Sequence, residues 1–131
     1  MRWFTALSQP IRTLLAPKPL GRRGEDAAAR YLRRLGYVIV ARGHRDNIGE
    51  LDLVAVDGRT VVFIEVKTRA TKSFGDPWEF VDWQKQQSLR RTAEEFIARY
   101  DLGEYTYRFD IVSVVAPGQK TEEIALYRNA F

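Results

Sequence analysis

Residues 49–67 read GELDLVAVDGRTVVFIEVK, two apolar, β-branched runs joined at Asp57-Gly58. An Asp-Gly pair between such runs is a strong hairpin signal. Leu51–Val56 and Thr60–Thr68 are therefore expected to be antiparallel strands. Side chains alternate across a strand, so Val61, Phe63, Glu65 and Lys67 share one face. A turn closed on Asp57-Gly58 sets Val56 opposite Arg59, Asp52 opposite Phe63 and Glu50 opposite Glu65. Asp52 then becomes a diagonal neighbour of Glu65, roughly 5–8 Å away on the same face. A slip of one residue would send Asp52 to the other face.

The flanking segments supply the rest of an α/β domain. Arg22–Leu35 carries Ala28, Tyr31, Leu32 and Leu35 at helical spacing, with Gly36 as its stop. Tyr37–Ala41 is short and β-branched, as a buried strand would be. Thr71–Pro77 reads as a loop. A second helix is expected from about Asp82 to Tyr100, with Leu89, Ala93, Phe96, Ile97 and Tyr100 on one stripe. Thr106–Ala116 returns as a strand, and Ile124–Tyr127 adds an edge strand. This is a mixed central sheet flanked by helices, with an αβββαβ core. Residues 21–131 form one domain. Residues 1–20, with Pro10, Pro17 and Pro19, read as a flexible arm.

Composition narrows the chemistry. There is no cysteine and a single histidine, His44. Disulfides, thiol catalysis and multi-histidine metal sites are excluded within one chain, and a Ser-His-Asp triad would have to use His44. Carboxylates, Lys, Arg, Tyr, Ser and a bound metal remain. The net charge of +4 is compatible with a polyanionic partner. No apolar run is long enough to span a membrane, and residues 1–20 make a poor signal peptide, so a cytoplasmic protein is expected.

Asp52, Glu65 and Lys67 thus converge among apolar neighbours, where lone charges are costly. A hard divalent cation, Mg²⁺ or Mn²⁺, is one partner for such carboxylates, with the Val66 carbonyl as a further ligand. Lys67 would then hold an attacking water or developing negative charge. The competing reading is a structural salt bridge between Lys67 and Glu65. Glu25 lies on the inward stripe of the first helix and serves either the site or the helix dipole. Lys85 and Gln86, one turn before Leu89, either reach a phosphate or face solvent. Arg69 and Lys72, with Arg90 and Arg91, read as a phosphate-facing set, the alternative for Arg90 and Arg91 being a solvated helix face. Trp78 and Trp83 either stack on bases or pack on the core and its rim.

Taken together, GxxGE, A, YL and GY in residues 21–37, GELDLVA, VFIEVKTR, the Lys-Gln helix start, RFDIV and the terminal NAF resemble the YraN family. That family belongs to the restriction-endonuclease-like, PD-(D/E)XK superfamily and is similar to archaeal Holliday-junction resolvases. The resemblance covers roughly residues 20–131. It implies that Asp52 is the motif aspartate, Glu65 and Lys67 the (D/E)XK pair and Glu25 the acid of the leading helix. Gln86 stands near a glutamine that some relatives carry, and no proline precedes Asp52. The implied activity is Mg²⁺-dependent cleavage of DNA at branched or broken structures, in repair or recombination. By analogy with resolvases, a homodimer is the implied assembly. The rival expectations are a nucleic-acid-binding module with little turnover, or a protein-recruitment scaffold on the same fold.

Overall fold

The computed structural model describes residues 18–72 and 81–131. The elements run α1 (Leu20–Arg34), β1 (Val38–Arg45), β2 (Glu50–Asp57), β3 (Thr60–Arg69), α2 (Trp83–Arg99), β4 (Thr106–Val115) and β5 (Glu123–Tyr127). The order αβββαββ matches the expected class. Most of the expected Thr71–Pro77 loop, Trp78 and the arm up to residue 17 lie outside the described residues.

One five-stranded sheet is laid out in the order β1-β2-β3-β4-β5. Its pairs are antiparallel except β3 and β4, which run parallel from Thr60↔Thr106 to Arg69↔Val115. A parallel pair needs a crossover, and α2 provides it. The two helices cover opposite faces. Ala27, Ala28, Ala29 and Leu32 of α1 pack with Leu53, Val62, Ile64, Val112 and Val114. Leu89, Ala93 and Phe96 of α2 pack with Val54, Val61, Phe63, Phe109 and Ile111. Covering both faces explains why β3 and β4 read as nearly continuous apolar runs rather than strict alternations.

The β2–β3 register differs from the one expected. Asp57 pairs with Thr60 and Val54 with Phe63, so Gly58 and Arg59 form the two-residue turn. Gly58 has φ +63°, a value glycine adopts without steric cost, while Arg59 is not in the left-handed region. Glycine first in the loop, with an ordinary residue second, is the pattern of a II′ hairpin. The register therefore moves by two residues. A shift of two preserves the face assignments of the paired residues Leu53–Asp57, while Asp52 lies beyond the last pair.

Two local devices hold the helices in place. Asp82 caps α2, its side chain accepting from the Lys85 N–H at 2.8 Å. Gly24 brings α1 against β3: a Cβ at this position would lie 1.9 Å from Thr68 Oγ1 and 2.7 Å from Thr68 Cβ. Thr68 Cβ is tied to the backbone and cannot swing aside. Midway along the sheet, beside Ile64 of β3, fully buried Asp110 accepts from Arg108 Nε (3.0 Å), the Tyr37 hydroxyl (3.2 Å) and the Asn129 N–H (2.9 Å). The C-terminal residues close the core there. Phe131 stacks on Phe109, and the Ala130 N–H donates to the Phe109 carbonyl.

Gly24→Ala is expected to destabilise the protein by about 1–3 kcal/mol, the scale of an overpacked interior. Chemical denaturation checks this. Gly21→Ala serves as the control, because a Cβ there meets nothing within 4 Å. Equal midpoints for the two variants would show that the α1–β3 contact yields without cost.

Candidate active site

The candidate site forms where β2 leaves β3. Their ladder ends at Leu53↔Ile64, although β2 continues against β1 to Glu50 and β3 continues beside β4 to Arg69. Side-chain alternation along β2 breaks at the same place. Leu51 belongs to the α2-side core and Leu53 to the α1-side core, though they are two residues apart. Asp52 sits at this break. Its Oδ2 accepts from the Val66 N–H at 2.8 Å, so a side chain bonds the β3 backbone just past the last ladder pair. Oδ1 has no part in that bond.

Glu65 lies on the same side, followed on its strand face by Lys67 and Arg69. Burial raises the Glu65 carboxyl to about 7, and the neighbouring Asp52 charge adds to the rise. Lys85 and Lys67 pull it back. Lys85 reaches in from the first turn of α2, its Nζ 3.7 Å from Glu65 Oε1. Asp52 is also pushed above the ordinary aspartate range, first by burial and then by the Glu50 charge, against the Val66 N–H and Lys85. Two acids whose ionisation is opposed by burial and by nearby negative charge make an environment that favours a cation.

Glu25 completes the acidic group from α1. Burial and then the Asp52 charge raise it, while Arg42 and Arg22 lower it. Because α1 begins at Leu20, Glu25 is beyond the first helical turn, and the helix-dipole reading does not apply. The Gly24–Thr68 contact explains the placement: it seats α1 tightly on β3 one residue before the acid. Among the described residues, no three His, Cys, Asp or Glu side chains lie close enough to ligate a single ion.

The expected phosphate-facing residues have partners within the chain. Lys85 pairs with Glu65, and exposed Lys72 with Glu123 at 3.5 Å. Gln86 Nε2 donates to the Val81 carbonyl at 3.0 Å, and Arg69 Nη2 to Ser113 Oγ at 3.3 Å. Trp83 is 70% exposed on the first turn of α2. Glu50, expected opposite Glu65, instead pairs with Arg45 at 2.8 Å. The Asp52–Val66 bond has no sequence signal, since it depends on where a ladder stops. Lys85 as a partner of Glu65 also requires the α2 crossover to be known.

Sequence comparison gives the chain a family. The uncharacterised protein family UPF0102 matches residues 24–114, which include every candidate site residue named above. The chain belongs to the UPF0102 family. A family protein from Alkaliphilus metalliredigens is 42% identical over 114 residues, covering 87% of this chain and 98% of its own. One from Solibacter usitatus is 44% identical over 123 residues, covering 92% of each chain. One from Nocardia farcinica is 48% identical over 102 residues, covering 77% of this chain and 80% of its own. No helix among the described residues of this family member is long and apolar enough to cross a membrane.

The raised Glu65 carboxyl generates a stability prediction with a definite sign. Its folded value lies above its ordinary 4.5, so between there and about 7 the folded state binds more protons than the unfolded chain. Metal-free stability then falls as pH rises through that window, by on the order of 3 kcal/mol for this group. Glu65→Gln should remove the loss. In chelator, the variant is expected to match wild type near the acid end of the window and to melt higher at pH 8. Mg²⁺ or Mn²⁺ should raise the wild-type melting temperature with concentration, and Asp52→Asn should lose most of that rise. A salt-bridge site gives the opposite pattern, with Glu65→Gln melting lower throughout and metal without effect.

Proposed function

We propose that this chain is a divalent-metal-dependent endonuclease of the restriction-endonuclease-like, PD-(D/E)XK kind, hydrolysing DNA phosphodiester bonds at branched or broken structures. The observation that carries the reading is the meeting of two half-buried carboxylates, Asp52 and Glu65, at the parting of β2 and β3. Lys67 follows on the same strand face. The resemblance to the YraN family gives the same three residues these roles. A cytoplasmic location belongs to the same reading.

The donor set fits Mg²⁺ or Mn²⁺. Mg²⁺ takes oxygen ligands, keeps several waters and commonly uses only one or two protein carboxylates. Asp52, Glu65 and the Val66 carbonyl would hold the ion. Bound there, it would supply Lewis-acid polarisation of a phosphoryl oxygen and a more acidic water. The chain's own groups do the rest. The Val66 N–H fixes the Asp52 carboxylate in orientation. Lys67 places positive charge where negative charge grows during attack on phosphorus. Glu25 lends further negative charge from α1. A weakly catalytic binding module or recruitment scaffold is favoured by one observation, the Lys85–Glu65 pair, which a cation would have to displace.

Cleavage of linear, flapped and four-way DNA with Mg²⁺ or Mn²⁺ tests the proposal. Asp52→Asn, Glu65→Gln and Lys67→Ala are each expected to slow cleavage by at least ~100-fold, the scale of losing a charge-stabilising group. Equal cutting by wild type and all three variants would assign the activity to a contaminant. No cutting by wild type on any substrate, with DNA binding intact, would leave the binding-module reading.

A further inference from the structure

The outward side of α1 carries a row of arginines. Arg22, Arg23, Arg30, Arg33 and Arg34 are all exposed, while Ala27, Ala28, Ala29 and Leu32 are buried against the sheet. At about 100° per residue, the five arginines fall within a sector of about 120°. Asp26 is the acid in that sector, and Arg42 and Lys18 neutralise it. Arg23, Arg30, Arg33 and Arg34 make no ion pair among the described residues.

Ordinary solvation does not account for this face. Solvated helices mix charges of both signs, and Arg30 with Arg33 and Arg34 sets like charges at unfavourable i,i+3 and i,i+4 spacings. The helix dipole suits Arg33 and Arg34 in the last turn but opposes Arg22 and Arg23 near the start. A row of phosphates relieves both costs. Arginine binds phosphate through paired, planar hydrogen bonds. A membrane surface fits less well, because exposed Leu35 points away from the arginine sector and no large apolar side chain stands within it.

From Arg22 to Arg34 the helix runs about 18 Å. That matches about five base pairs at the axial spacing of duplex DNA. We propose that the outer face of α1 is a track for the phosphate backbone of duplex DNA. This inference rests on the nuclease reading, and it names a surface distinct from Arg69, Lys72, Lys85 and Gln86.

The test is binding of a short labelled duplex by the full chain in chelator, from ~50 to ~200 mM salt, a range over which phosphate contacts weaken strongly. The triple substitution Arg23→Gln, Arg30→Gln, Arg34→Gln is expected to weaken binding at least ~10-fold at mid-range salt. It should lower the slope of log affinity against log salt by about 3, roughly one per lost contact. The loss should be equal on two unrelated sequences. The corresponding Arg→Lys triple should keep most of the slope. If the glutamine triple fails to fold, each single substitution should lower the slope by about 1. Wild-type affinity and slope in the folded glutamine variants would overturn the track and leave the nuclease reading standing. Absence of duplex binding by wild type would sink the nuclease reading, and the track with it. Loss of binding to anionic phosphatidylserine vesicles with DNA binding unchanged would overturn the proposal and assign the face to lipid.

Discussion

The structure depends on β3 pairing with neighbours of opposite direction along unequal lengths. With β4 it runs parallel over its whole length, and with β2 it runs antiparallel only as far as Ile64. Up to that point β3 is a core strand, with Val62 and Ile64 against α1 and Val61 and Phe63 against α2. Beyond it, one edge of β3 opens. Glu65, Lys67 and Arg69 continue the inward alternation toward α2 where β2 no longer follows. Parallel pairing with β4 keeps this segment rigid while its other edge meets the carboxylate of Asp52. Polar groups are thus held on a strand rather than a loop, which suits a site needing fixed geometry.

Acids of the sheet are treated differently in two places. Asp110 is fully buried and takes hydrogen bonds from Arg108, the Tyr37 hydroxyl and the Asn129 backbone. Arg108 extends the network to Asp57 in the hairpin, at 3.0 Å, and to Tyr37 after α1. This network joins the end of α1, the hairpin, β4 and the C-terminal residues through satisfied polar groups, which rigidify a fold. At the parting of β2 and β3, the Asp52 charge adds to the burial that opposes Glu65 ionisation, and Lys85 compensates from a half-exposed position at 3.7 Å. Metal-free, such a site is held at some cost to stability. The contrast fits a division between an anchoring network and a working site.

Much of this was legible in local pattern. The alternation through Val61, Phe63 and Glu65, the helical stripe ending before Gly36 and the Leu89–Phe96 stripe each follow from a short-range period and a core on one side. The hairpin was legible and its register was not. Asp57-Gly58 marks a turn, but either Asp57-Gly58 or Gly58-Arg59 can occupy its two positions. The residue with positive φ chose between them. Asp52 still meets β3 beside Glu65, because the Val66 N–H holds its carboxylate past the last ladder pair. Glu25 faces the body of the protein as its helical position requires, yet its reach toward Asp52 comes from the Gly24–Thr68 contact, across distant segments of the chain.

By itself the sequence determined the element types, the strand face shared by Val61, Phe63, Glu65 and Lys67, and the chemistry excluded by having no cysteine and one histidine. Those depend on alternation, helical period and composition, all local properties. Only the tertiary structure decided where β2 leaves β3, that the Val66 N–H binds Asp52, and that Lys85 comes from α2 to Glu65. It likewise settled that five arginines of α1 stand outward on one side of a helix whose other side is buried. The physical reason is that burial and charge proximity depend on which distant segments pack together. Neither the elevation of a carboxyl group nor the isolation of a basic face exists until that packing does.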